Sequence, residues 1–298
     1  MDKELSHRQF ALLLSLTPYL GQKGIERILR QNAVAGYSAE EFLALSADRK
    51  KHEYGLLAAA ANALTVGLKD LLDELTRFEA RVRAAGVEIL TLQDAAYPSR
   101  LVNCIEEPPA LLFTYGNQQL LSQSTFCALT SRKPTKLGLA NIEVVVERMV
   151  FEHKVLVSGH NTDGYKRASV TGLRWGAPRI LALDCGLFAG LGDNLTNEPF
   201  RVARLYRYQF DPKTDLVISP FRPSDRYIGN NNQLRDELIV ALSDQVVAVE
   251  IRSEGQMERL GLQALSQGRS VYACEYPNYD YDNQGNQSLL EHGALPFV

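Results

Sequence analysis

The sequence predicts an α/β fold: a buried, mostly parallel sheet preceded by a small all-helical module. Three observations predict it. Helical apolar periodicity dominates residues 1 to about 85. From Phe126 onward, short near-continuous apolar runs alternate with helical stretches, as buried parallel strands joined by right-handed crossovers require. Each run stops at a polar turn of the sort that ends a strand in such sheets.

In the first third, Phe10, Leu13, Leu14, Leu16 and Leu20 share one helix face. Thr17-Pro18-Tyr19-Leu20-Gly21-Gln22-Lys23-Gly24 then punctuates a hairpin before a second helix at Ile25–Gln31. Ser38 and Glu41 have the spacing of a capping box. Ala58–Ala63 and Leu68–Val82 supply further helices, and Gly86 sits where a helix-ending glycine would. Val87–Leu92 is strand-like. Tyr97-Pro98 and Pro108-Pro109 bracket a connector, which leads to Ala110–Tyr115 and a turn at Gly116-Asn117. The expected division is a helical module over 1–85, a connector with strands over 86–125, and a Rossmann-like domain over 126–298.

Phe126–Leu129 is the first strand of that domain, and Asn141–Phe151 its helix. Strands follow at Lys154–Ser158, Arg179–Leu183, Leu216–Ser219, Gln245–Ile251 and Ser270–Cys274. Helices are expected at Arg167–Trp175, Gln233–Leu242 and Glu254–Gln267. Gly229-Asn230-Asn231-Asn232 reads as a polar loop, and the chain carries no repeat.

Bulk properties bound the function. The 298 residues are 45% hydrophobic and 22% charged, with a net charge of -3. That balance disfavours a protein that coats nucleic acid over its whole surface and leaves room for a local basic patch. The four cysteines form no CxxC pair and read as buried small side chains in a reducing cytosol. No apolar stretch approaches the roughly 18 residues of a membrane span. Met1-Asp2-Lys3-Glu4 does not open a secretory signal, so a cytoplasmic protein without membrane attachment is expected.

The turn after the first strand is the leading candidate site. Ser131, Arg132, Lys133 and Thr135 combine hydroxyls with basic charge at a helix start, which suits an anionic phosphate. The alternative is an N-cap from Ser131 or Thr135 beside solvated basic side chains. The absent glycine disfavours a nicotinamide cofactor, and no cofactor is expected. Ser158 and Gly159 open a second loop, Ser158–Gly164, whose plainer reading is a capped polar turn. His160 near Asp163 raises acid–base chemistry, but no nucleophile accompanies them. No His/Cys/Asp group has metal-ligand spacing in the sequence. Lys166, Arg167 and Arg174 extend the basic character. Arg201, Arg204, Tyr206, Arg207 and Tyr208 fit either a single-strand-binding segment or a solvated face with inward tyrosines.

The order of these strand ends resembles a known family. Tyr97-Pro98, Glu107–Phe113, Gly116-Asn117, Ala128–Arg132, Ser158-Gly159, Asp184–Leu187, Arg235, Ala241–Asp244, Gly268–Ala273, Gly285-Asn286, Leu289-Leu290 and Gly293-Ala294 together look like the DNA-processing protein A family (DprA, also called Smf). The chain departs from it in places. Thr130 stands where the family's Gly-Ser-Arg has glycine, and the second loop carries Asp163, Tyr165 and Ser169 at the glycine, aspartate and histidine positions. Arg235-Asp236-Glu237 replaces Arg-Asn-Arg, and Ser253-Glu254-Gly255 replaces Ser-Gly-Ser. The chain ends at Val298 without the winged-helix tail of some members.

The resemblance implies an extended Rossmann-like, mostly parallel sheet behind a small all-helical module of the SAM or helix-hairpin-helix kind, and a single-stranded DNA-binding protein of DNA processing and recombination, not an enzyme. Its DNA would lie over the strand ends on Arg132, Lys133, Lys166, Arg167 and Arg235, with a recombinase as partner and a homodimer through the sheet domain. Two other readings stand beside it. One is an antitoxin or regulatory component of a phage-defence or toxin–antitoxin pair, binding a cognate toxin. The other is a nucleotide-binding Rossmann enzyme.

Overall fold

The computed structural model describes residues 4–297; Met1-Asp2-Lys3 and Val298, on which the reading of both chain ends rests, lie outside it. The described chain divides into two compact units. One comprises residues up to Tyr97 with Glu107–Phe113, the other Pro98–Glu106 with Thr114 onward.

The first unit is mainly helical. It contains α1 (His7–Leu16), α2 (Gln22–Ala35), α3 (Ala39–Ala44), α4 (Ala47–Tyr54), α5 (Ala58–Ala63) and α6 (Leu68–Ala84). Strand β1 (Glu88–Thr91) follows. Ser6 with Gln9 and Ser38 with Glu41 both form capping boxes, satisfying N–H groups that a helix start leaves open. Gly86 adopts φ 71°, the left-handed turn that ends α6. The core packs Phe10 on Phe42, 5.6 Å between centroids, and Phe42 on Tyr54 at 4.9 Å. Lys50 is fully buried in it and donates to the carbonyls of Leu43 and Leu45 at 2.7 and 2.6 Å.

The second unit begins with α7 (Ser99–Cys104). Strand β2 (Leu111–Gly116) straddles the boundary between the units, and β3 (Thr125–Thr130), α8 (Lys136–Phe151), β4 (Val155–Ser158), α9 (Asp163–Arg174) and β5 (Arg179–Ala182) follow. Then come α10 (Leu187–Leu191), β6 (Leu216–Ser219), α11 (Asn231–Leu242), β7 (Gln245–Glu250) and α12 (Gln256–Ser266). Strand β8 (Ser270–Ala273), α13 (Gln284–Glu291) and β9 (Leu295–Pro296) close the unit.

Strands β3, β4, β5 and β6 are buried along their whole length, because helices cover both faces of a parallel sheet. The order is β2-β6-β5-β4-β3-β7-β8-β9, and the strands from β6 to β9 pair in parallel throughout. From β3 the chain builds outward through β4, β5 and β6, then returns to β7 on the other side of β3. β3 is therefore the topological switch point, where loops on its two sides diverge and leave a crevice at the carboxyl ends.

Local chemistry shifts several boundaries from the sequence reading. Thr162 accepts from the Tyr165 N–H and starts α9 at Asp163, inside the stretch read as loop. Asn231 and Asn232 belong to α11. The short α7, α10, α13 and β9 were not foreseen. Cys127, Cys185 and Cys274 are buried free thiols, as expected, and Cys104 is partly exposed. No helix among the described residues is long and apolar enough to cross a membrane.

Candidate nucleic-acid interface

A cleft of about 1020 Å³ opens at the carboxyl ends of the strands in the second unit. Its walls come from the turns after β3 (Thr130, Ser131, Arg132), β4 (His160, Asn161, Thr162), β5 (Asp184, Cys185), β6 (Arg226, Tyr227), β7 (Arg252, Ser253, Gly255) and β8 (Tyr281), with Arg235 and Asp236 of α11 as well.

The turn after β3 is organised by an acid that the sequence reading did not single out. Thr135 caps α8, its Oγ1 accepting from the Gly138 N–H at 3.1 Å. Its own N–H and hydroxyl donate to Oε1 and Oε2 of Glu250, both at 2.6 Å. Glu250 is buried. A shift in the β3–β7 register after Leu129 sets it opposite Thr130. Gly138 makes room for it: a Cβ there would come within 2.5 Å of the Glu250 carboxyl carbon. The positive end of α8, where the sequence places a phosphate, thus receives the chain's own carboxylate.

Ser131 is tied down similarly, its N–H to the Glu250 carbonyl at 2.8 Å and its Oγ accepting from Arg252 N at 2.9 Å. Arg132 and Lys133 are exposed and have no hydrogen-bond or ion-pair partner among the described residues. Thr130, in the family's glycine position, fits because its partner is a glycine: a Cβ on Gly164 would collide with Thr130 Oγ1.

The second loop forms the floor. Ser158 is buried, with Oγ 3.3 Å from the Gly159 carbonyl. A Cβ on Gly159 would lie 2.8 Å from the Tyr165 ring and 3.0 Å from Arg235 Cδ. Arg235 is only 2% exposed. It bonds Asp184 Oδ2 at 3.0 Å, Asp236 Oδ1 at 2.8 Å and Asn161 Oδ1, and its guanidinium lies 5.0 Å from the Tyr165 ring centre. Tyr165 donates to Asp236 at 2.7 Å, and burial with the adjacent carboxylate holds its hydroxyl well above the usual tyrosine range. Arg235 is a neutralised floor strut. Lys166 pairs with Asp163 at 3.6 Å, and Arg167 with Glu143.

Of the nine residues that sequence reasoning put in the site, Arg132 and Lys133 are thus the exposed, uncommitted cations. Arg226, also exposed and without a partner among the described residues, joins them on the cleft wall. Tyr227 and Tyr281 are 51% and 69% exposed, the latter with the Arg252 guanidinium 4.4 Å from its ring centre. Neither the arginine nor the tyrosines stood out in sequence; their positions after β6 and β8 were the available signal. In the other basic segment Arg207 turns inward to Asp215 at 2.7 Å, whereas Tyr206 and Tyr208 stay 47% and 74% exposed.

The structure also brings His160 beside the adjacent pair Asp184-Cys185, which follows a different strand. His160, Asp184 and Cys185 offer ligand atoms within 4.8 Å of one another. Burial lowers the His160 imidazole below its ordinary value and raises the Cys185 thiol to about 11.

The chain is 24% identical over 237 residues to the DNA processing protein DprA of Bacillus subtilis, covering 78% of this chain and 76% of that one. The crystal structure of DNA processing protein A from Streptococcus pneumoniae superposes with TM-score 0.72 at 20% identity, covering 99% of this chain and 95% of the other. A Helicobacter pylori DNA processing protein A, described for its single-stranded DNA binding mode, superposes with TM-score 0.55 at 20% identity over 71% of this chain and 92% of that one. The family model of DNA recombination-mediator protein A matches residues 88–298, and the chain belongs to that family.

Proposed function

We propose that the cleft over the β3 switch point is where this chain holds single-stranded DNA during DNA processing. One observation carries the reading. Arg132, Lys133 and Arg226 stand exposed and, among the described residues, unpaired beside a cleft that also presents the open tyrosine rings of Tyr227 and Tyr281. Free cations neutralise a phosphate backbone, and exposed aromatic rings stack unpaired bases of any sequence. The Helicobacter pylori relative, described as binding single-stranded DNA, supports the same assignment.

The test is a salt titration of oligonucleotide binding, single- and double-stranded, with wild type and the double reversal Arg132→Glu/Lys133→Glu. Each phosphate contact on a single strand contributes a slope of about 0.7 in log K against log salt. The reversal should weaken binding and flatten the slope by about 1.4. Unchanged affinity and slope would remove the site assignment.

A second reading concerns assembly, and the outer face of α8 favours it. Leu137, Val144 and Phe151 are 55%, 63% and 60% exposed, and Trp175 at 50% lies against Phe151 with ring centroids 5.0 Å apart. Leu137 and Phe151 are equidistant from Val144, as are Lys136 and Glu152 of opposite charge. An antiparallel copy of α8 centred on Val144 meets like-sized apolar groups and complementary charges, so a second copy of this chain is the occupant. Val144→Glu should turn a dimer into a monomer in sedimentation equilibrium; a monomeric wild type would end this reading.

A further inference from the structure

The floor of the cleft holds a group of side chains whose chemistry DNA contact does not use. His160 Nε2 lies 3.8 Å from Asp184 Oδ1, and the Cys185 thiol completes a set of donor atoms within 4.8 Å of one another. All three residues line the cleft. We propose that His160, Asp184 and Cys185 form a binding site for a divalent, borderline-soft metal ion of the zinc type, with an open coordination position on the cleft.

The donor set selects the ion. One imidazole nitrogen, one carboxylate oxygen and one sulfur make a combination suited to zinc or cobalt and poor for magnesium or calcium, which take oxygen donors. Three protein ligands with a fourth position left open is the arrangement of reactive zinc sites. Zinc bonds of about 2.0 to 2.3 Å require the donors to close by roughly 1 Å, a movement within reach of side-chain rotation at His160 and Cys185.

The surroundings are arranged as a supporting shell. Asp184 is fixed through its other oxygen, Oδ2, by Arg235 at 3.0 Å and by the Asn161 amide. Oδ1 is thereby left facing His160. The Asp184 carbonyl accepts from Asn231 Nδ2 at 3.0 Å, and the Cys185 carbonyl from Ser219 Oγ at 2.7 Å, so the backbone that carries both ligands is pinned. His160 Nδ1 is buried with no hydrogen-bond partner among the described residues, so no hydrogen bond holds the ring in one orientation and it can turn to offer a nitrogen as a ligand. Charge agrees as well. Arg235 faces two carboxylates, Asp184 and Asp236. A coordinating thiolate would leave the cluster with two uncompensated negative charges, which a divalent cation neutralises.

Co²⁺ is the direct probe, because a thiolate bound to it gives a near-ultraviolet charge-transfer band. The metal-free full-length chain is titrated with CoCl₂ and then with ZnCl₂. We expect one cobalt per chain, a charge-transfer band, and its loss when zinc displaces cobalt. Cys185→Ser should abolish the band while Cys127→Ser and Cys274→Ser keep it. His160→Ala should weaken cobalt binding at least tenfold, and Asn161→Ala, which loosens Asp184, by about 10- to 100-fold, both with unchanged circular dichroism. Absence of a charge-transfer band in the wild type overturns the proposal. So does a band that survives in Cys185→Ser, or affinity indifferent to His160→Ala in a folded variant. DNA affinity plays no part in the readout, so this outcome is independent of the DNA assignment.

Discussion

The Glu250 carboxylate accepts both the N–H and the hydroxyl of Thr135, each at 2.6 Å, and closes the positive end of α8 from within the chain. A helix start that binds an external phosphate needs those donors free; here they are used. Removing the acid should therefore have two effects. Glu250→Ala should destabilise the protein by about 1–3 kcal/mol, the cost of buried donors left without an acceptor. It should also create an anion site, so that added sulfate or phosphate raises the melting temperature of the variant more than that of wild type. Equal anion responses in thermal unfolding would show that Glu250 does not guard the helix end.

If the cleft holds single-stranded DNA as proposed, Tyr227 and Tyr281, exposed on its wall, carry the part of the affinity that charge does not. Stacking contributes about 1–3 kcal/mol per base, so Tyr227→Ala and Tyr281→Ala should each weaken single-strand binding by roughly 5- to 150-fold at unchanged salt slope. The phenylalanine variants retain the ring and should bind as wild type. The Tyr227 hydroxyl bonds the Gly229 carbonyl at 2.5 Å, so Tyr227→Phe also tests whether that loop contact matters. Fluorescence anisotropy with a labelled oligonucleotide at two salt concentrations separates the ring from the charge.

The sheet was legible because strands buried on both faces write themselves as apolar runs; β3 through β7 follow from that pattern, and β8, buried on one face, from a shorter apolar run. The turn positions were legible too, since a strand must end somewhere polar. Partnership was not. Glu250 is a lone carboxylate at a strand end, and its partner Thr135 lies 115 residues away. The sequence shows Arg235 as a cation but not that three acceptors enclose it and only 2% of it meets solvent. His160 and Asp184-Cys185 follow different strands, and only the β4–β5 pairing brings them together. The start of α9 was hidden for a local reason: Thr162-Asp163-Gly164 has turn composition, and the cap hydrogen bond decides in favour of a helix.

A buried ion-pair network holds the β5 end of the sheet. Arg179, fully buried, donates to Asp215 Oδ2 from Nε at 3.0 Å and Nη2 at 2.6 Å, and to Glu198 Oε1 at 2.8 Å. Arg207 reaches the same Asp215 oxygen at 2.7 Å. Asp215→Ala leaves two guanidinium groups facing no shared acceptor. Breaking one partner of such a pair costs about 3–5 kcal/mol. The midpoint of urea unfolding should fall accordingly. A variant within 1 kcal/mol of wild type, by the same linear extrapolation, would mean that the network relaxes around the loss.

Glu26 on α2 makes the stability of the first unit depend on pH. Burial, reinforced by Glu107 and opposed by Lys23 and Arg30, raises its carboxyl from 4.5 to about 7. A folded-state value above the unfolded one means that the folded chain binds the extra proton between those limits. The resulting stabilisation is complete below pH 4.5 and is lost as pH rises through about 7. Glu26→Gln keeps the shape of the protonated acid and cannot ionise. It should match wild type near pH 4.5 and exceed it above pH 7, the difference growing across that interval. Thermal unfolding of both proteins at half-unit steps of pH measures this, and parallel curves for the two would show that Glu26 titrates as an ordinary surface acid.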